Sequence, residues 1–135
     1  MYFRLEVVQV PVSDVDRAKA FYSEQAGFVL DRDHQVSDDV RVVQLTPPGS
    51  GCAIVIGTGL SEMVPGSVQG LQLVVADIDA AREALVGRGV DVSEIQVLGR
   101  PGLPGFRFAS FRDPDGNGWA LQEERPFEPG EGSHP

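Results

Sequence analysis

A single cysteine, Cys52, stands in the chain, so no intrachain disulfide can form, and no Cys/His cluster offers a structural zinc site. A chain of 135 residues must then be held by its core, and that length buries a core without staples. Histidine is almost as scarce: His34 lies in a polar stretch and His134 is the penultimate residue, neither with a nucleophile or base near it in sequence. No apolar run reaches the length of a membrane span, and Met-Tyr-Phe-Arg-Leu-Glu at the start alternates like a strand instead of opening a signal peptide. These absences predict a soluble, unprocessed protein of the cytoplasm. Basic residues are outnumbered, 11 Lys and Arg against 20 Asp and Glu, for a formal charge of −9. With no local basic patch, that balance disfavours nucleic acid and anionic membrane surfaces as partners.

What is present is clearest in Phe111-Arg-Asp-Pro-Asp-Gly-Asn-Gly-Trp-Ala-Leu-Gln-Glu-Glu124. Pro114 presets φ and Gly116 permits a positive one, as a short reversal between strands requires. Beyond the turn, Trp119 and Leu121 fall on one side of a strand, and Ala120 and Gln122 on the other.

Earlier in the chain a pattern occurs twice. Val7-Val-Gln-Val-Pro-Val-Ser-Asp-Val-Asp-Arg-Ala18 returns as Gly70-Leu-Gln-Leu-Val-Val-Ala-Asp-Ile-Asp-Ala-Ala81 at an offset of 63, pairing Gln9 with Gln72, Asp14 with Asp77, and Asp16 with Asp79. Each copy reads as a strand running into a helix. The first strand is expected over residues 3 to 12, with Pro11 marking an edge or an end. Its helix carries Val15, Ala18, Phe21, Tyr22 and Gln25 at helical spacing up to Gly27. A strand then starts at Phe28 to Leu30, Asp31 to Asp39 reads as a polar loop, and Val40 to Thr46 with Ala53 to Ile56 forms a hairpin. In the second copy the helix spans about Asp77 to Val86, a strand is expected over Val90 to Val97, and Phe106 to Arg112 pairs with Gly118 to Glu123. The acidic pairs Asp14/Asp16 and Asp77/Asp79 fit caps and dipole partners at helix starts. Gly57-Thr-Gly-Leu is too short for a phosphate loop. The fold class is α+β: paired βαβββ modules with helices on the outer face of curled mixed sheets that enclose a cleft. One domain over 1–135 is expected, with module one at about 3–57, a linker at about 58–69, module two at about 70–124, and a tail at 125–135 that reads as an arm or disorder.

The turn segment and the Val10-Pro-Val-Ser-Asp-Val-Asp-Arg-Ala-Lys-Ala-Phe-Tyr22 segment together resemble the vicinal-oxygen-chelate superfamily: glyoxalase I, extradiol dioxygenases, fosfomycin-resistance enzymes and bleomycin-binding proteins. The resemblance implies a cleft holding the active site. In the metal-binding members it also implies His, Gln or Glu at positions that here are Val7, Gly70 and Ala120, with Val55 or a neighbour as the fourth. None of these side chains ligates a divalent ion. The expectation is therefore no metal and no cofactor, and whether the chain is an enzyme stays open.

Strand alternation assigns the faces. Val8, Val10, Leu71, Leu73, Val75, Trp119 and Leu121 should pack under the helices, leaving Gln9, Gln72 and Gln122 toward the cleft. On the strand before the turn, Phe106, Phe108 and Ser110 take the cleft side, and Arg107, Ala109 and Phe111 the other. The glutamines can each donate and accept, so they read either as a polar clamp for a ligand or as a set bonded to one another or to water. Gly99-Arg-Pro-Gly-Leu-Pro-Gly105 is a lid or a plain connection. The leading reading is a small-molecule-binding protein like the bleomycin-binding branch, taking a neutral or cationic amphipathic ligand and forming a homodimer. The alternative is a glyoxalase- or dioxygenase-type enzyme with a relocated or absent metal site.

Overall fold

The structure is a computed structural model, and residues 1–99, 102 and 105–124 are described. It divides into two compact units, the first Met1–Gln69 with Arg112–Asn117 and the second Gly70–Phe111 with the residues from Gly118 on.

Unit one begins with β1 (Val7–Gln9), then α1 (Val15–Ala20), whose last turns widen into a π-helical segment, Phe21–Gln25. Three strands follow: β2 (Val29–Ser37), β3 (Val40–Thr46) and β4 (Ala53–Thr58). Their sheet has the order β1-β4-β3-β2, with β1 parallel to β4 and the other pairs antiparallel. Unit two repeats the plan as β5 (Leu71–Val75), α2 (Ile78–Gly87), β6 (Gln96–Leu98), β7 (Phe106–Arg112) and β8 (Gly118–Glu123), in the order β5-β8-β7-β6. These are the paired βαβββ modules of an α+β fold. Among the described residues no helix is long and apolar enough to cross a membrane.

The repeat holds at the level of single bonds. Asp14 and Asp77 are the N-caps, with φ/ψ of −131/105 and −134/102, and each carboxylate accepts from the backbone N–H three residues on. Two residues later Asp16 and Asp79 do more than complement the dipole: Asp16 pairs with Arg41 on β3 at 2.9 Å, and Asp79 with Arg107 on β7 at 3.2 Å.

In each unit the helix covers one face of its sheet. Val10, Val43, Leu45, Ile54 and Ile56 are buried with Ala18, Phe21, Tyr22 and Phe28 in unit one. Ile78, Leu85, Val90, Val92, Ala109, Phe111, Trp119 and Leu121 form the core of unit two, where the Phe111 and Trp119 rings stack at 6.0 Å. The π turn bonds Ala26 N–H to Phe21 O, widening the helix where the adjacent Phe21 and Tyr22 are both buried.

Three sequence expectations need correction. Asp31 to Asp39 is no loop: most of it lies in β2, whose residues are all exposed. As an edge strand it has no buried side chain to reveal it, and polar cross-strand contacts take that role, with Asp31 accepting from Gln44 and Thr46, and Asp33 from Arg41. The strand expected over Val90 to Val97 is only Gln96–Leu98, because Val90 N–H bonds to Leu85 O and the Val92 and Ser93 carbonyls accept from Arg82. Pairing of the first strand reaches only from Glu6 O to Val10 N–H, since Pro11 has no N–H to continue it.

Candidate functional site

The turn that joins β7 to β8 is counted with unit one, and its residues account for that. Asp113, 5% exposed, gathers four donors: Tyr22 Oη at 2.7 Å, Asn117 Nδ2 at 2.8 Å, and the N–H groups of Asn117 and Asp115 at 2.9 and 3.0 Å. Asn117, wholly buried, also donates to Pro11 O and accepts from Val68 N–H. Asp115 accepts from Ser13 Oγ at 2.5 Å and lies 3.6 Å from Arg17. Every polar group here is partnered by another of the same network, so the turn is structural, and no ligand is required to satisfy it.

The charged clusters lie on the helix-covered sides. Arg41 forks onto Asp33 at 3.0 and 2.8 Å while Lys19 approaches the same carboxylate at 2.8 Å. The Arg41 and Lys19 hydrogen bonds hold Asp33 well below the usual carboxylate range. In unit two Arg107 forks onto Glu123 at 3.0 and 2.8 Å, and Glu123 also accepts from Ile78 N–H. The Arg107 hydrogen bonds, followed by that backbone N–H, lower its pKa against the opposing effect of burial.

The helix-free faces are different. In unit one, Gln9 lies beside Val55, Val55 beside Gln44, and Gln44 beside Arg32. Gln9 also lines a pocket of about 220 Å³ with Pro11, Ser13, Val55, Thr58, Leu60 and Met63 among its walls. His34, expected in a loop, lies on β2 beside Val42 and is exposed. Cys52 is a half-buried free thiol just before β4.

In unit two, Gln72 lies beside Ala120 and Val74 beside Gln122. Burial follows the expected alternation along β7: Phe106, Phe108 and Ser110 are exposed or half-buried, whereas Ala109 and Phe111 are buried. Gln72, Gln122, Phe106, Phe108 and Ser110 therefore share the helix-free face of one sheet, while Gln9 belongs to unit one. Among the described residues, the side chains of Gln9, Gln72 and Gln122 make no hydrogen bond, in contrast to Gln35, Gln44 and Gln69, which bond to neighbours. The glutamines are thus not bonded to one another. Most of the Gly99–Gly105 segment, the tail and His134 lie outside the described residues.

The residues at the positions where the resemblance sets the superfamily's metal ligands do not fit an ion. Val7, Ala120 and, for the fourth position, Val55 or its neighbours Ile54 and Ile56 offer hydrocarbon, and Gly70 offers no side chain. Nor is there, among the described residues, a group of three or more His, Cys, Asp or Glu side chains able to hold a metal.

Residues 4–121 match the Glyoxalase/Bleomycin resistance protein/Dioxygenase superfamily. The crystal structure of TnmS3, an antibiotic-binding protein from Streptomyces sp. CB03234, is 37% identical with a TM-score of 0.76, covering 90% of this chain and 96% of that one. A glyoxalase/bleomycin resistance protein from the same Streptomyces is 38% identical with a TM-score of 0.72, over 87% of this chain and 98% of its own. The uncharacterised protein YetH of Bacillus subtilis is 30% identical over 127 residues, 91% of this chain and all of YetH. With its two βαβββ modules and a match spanning nearly all of its strands, the chain belongs to the glyoxalase/bleomycin resistance/dioxygenase superfamily.

Proposed function

We propose that this chain is a metal-independent small-molecule-binding protein, a single vicinal-oxygen-chelate domain over residues 1–135 working as a cytoplasmic homodimer. The observation that carries the reading is the helix-free face of unit two, where among the described residues the amides of Gln72 and Gln122 have no hydrogen-bond partner and share the face with Phe106 and Phe108. Amides without internal partners next to apolar rings are what a ligand with both a flat apolar body and polar edges requires. Gln72, Gln122, Phe106, Phe108 and Ser110 are the proposed ligand contacts there, and Gln9 is the one proposed in the pocket of unit one.

Further observations support it. The residues that the resemblance sets at the metal positions are Val7, Gly70 and Ala120, with Val55 or a neighbour as the fourth, which leaves the superfamily's metal-dependent chemistry without ligands. A relative of 37% identity is described as antibiotic-binding. The net charge of −9 favours a neutral or cationic ligand over an anion. A dimer is favoured by the edge position of β1 and by Tyr2, Phe3 and Leu5, which are 74% to 84% exposed and call for cover.

The test is a thermal-shift screen of neutral, cationic and anionic aromatic compounds. Stabilisation by neutral or cationic members that Gln72→Leu weakens, with the melting temperature of the free protein unchanged, is expected. Stabilisation by anions alone, indifferent to that substitution, would overturn the reading. Light scattering at micromolar concentration should give twice the mass of one chain.

A further inference from the structure

The pairing of the four strands of unit two carries the ligand's chemistry further. Gln96 on β6 lies beside Phe108 on β7, and Val74 on β5 beside Gln122 on β8. Phe111 stacks on Trp119, and Asp113 N–H bonds to Asn117 O; counting back from these contacts along the hairpin sets Gln122 beside Phe108. One row thus crosses the whole sheet: Val74, Gln122, Phe108, Gln96. The ring stands between two amides, and Gln96, like Gln122, makes no side-chain hydrogen bond among the described residues. The next row toward β6's end adds Phe106 beside Leu98, 37% and 66% exposed.

We infer that this row is a stacking platform for a neutral, planar, fused-ring aromatic compound bearing hydrogen-bonding groups on two opposite edges. Adjacent strands are about 4.8 Å apart, so the two amides flanking Phe108 start from backbones roughly 10 Å apart. That span suits two or three fused rings lying on Phe108, with a carbonyl or hydroxyl directed at each amide. Charge selects within the class. Arg107 and Glu123 occupy the helix-covered side and are paired with each other. Among the described residues, the charged groups of the open side's parity on or just beyond β6, β7 and β8 are Glu94, Arg112 and Glu124, all at or beyond strand ends. The middle of the face is neutral, so an ion on it would lose hydration without gaining a counter-charge. The inference rests on the small-molecule reading above and narrows it from neutral or cationic to neutral.

Calorimetric titration with three tricyclic probes tests it: a dihydroxyxanthone (neutral), proflavine (cationic) and anthracene-9-carboxylate (anionic). The xanthone should bind at least tenfold more tightly than either ion. Gln96→Leu and Gln122→Leu should each raise its Kd about fivefold to tenfold, the loss of one neutral hydrogen bond, and Phe108→Leu should raise it further. Gln35→Ala, on the first unit, should change nothing, and the melting temperatures of the unliganded variants serve as the folding control. Tighter binding of proflavine, or xanthone binding indifferent to Gln96 and Phe108, overturns the platform while leaving a small-molecule binder. No heat from any of the three overturns the platform, and if no compound in the thermal-shift screen binds either, the small-molecule reading falls with it.

Discussion

The hydroxyl of Tyr22 donates to Asp113 across 2.7 Å although 91 residues separate them in the chain. Asp113 keeps three further donors, so Tyr22→Phe should cost only about 1 kcal/mol. Asn117→Ala is the harsher change, because it strands Pro11 O, Val68 N–H and part of Asp113 at once. It should cost about 2–4 kcal/mol. Urea midpoints of the two variants should fall in that order.

Acid should weaken the fold through the paired carboxylates. Asp33 and Glu123 have folded pKa values below their ordinary ones, so the stability they contribute is complete above the unfolded values, about 3.9 and 4.3. It is lost as pH falls toward the folded values. The urea midpoint should be level from pH 8 to about 5 and decline below about 4.5. Glu123→Gln should be less stable at neutral pH and show a shallower decline, measured by denaturation at a series of pH values.

A methyl group at residue 57 has nowhere to go. A Cβ on Gly57 would stand 2.0 Å from Arg41 O, a backbone atom of the adjacent strand. Gly57→Ala should destabilise by about 1–3 kcal/mol, the usual range for overpacking, with a lower melting temperature as the readout. Gly51→Ala, where the added atom meets nothing within 4 Å, is the matched control.

Much of this organisation was legible before any coordinates. The repeat that pairs Gln9 with Gln72 became two modules with near-identical caps at Asp14 and Asp77, because strand-to-helix entry depends on local chemistry that a short motif carries. The sides of Phe106, Phe108 and Ser110 followed from a two-residue period. What the sequence hid was non-local or exposed. β2 read as a loop because an edge strand with no buried face has no apolar alternation, and His34 was misplaced with it. Gln96 was missed as a candidate because its neighbour Phe108 is reached only through the β6–β7 register. A possible signal was its resemblance to Gln72 and Gln122, a glutamine set among apolar strand residues. For Asp16 and Asp79 local sequence shows only the dipole role, because their arginines lie on strands whose placement it does not give.

The most direct test of metal-independent binding is calorimetric titration of the dihydroxyxanthone into protein purified without chelators, before and after dialysis against EDTA. Val7, Gly70 and Ala120, with Val55 or a neighbour, at the positions the resemblance gives the metal ligands predict the same Kd in both and no gain on adding Zn²⁺, Ni²⁺ or Mn²⁺. Binding lost after chelation and restored by one of those ions would contradict the account.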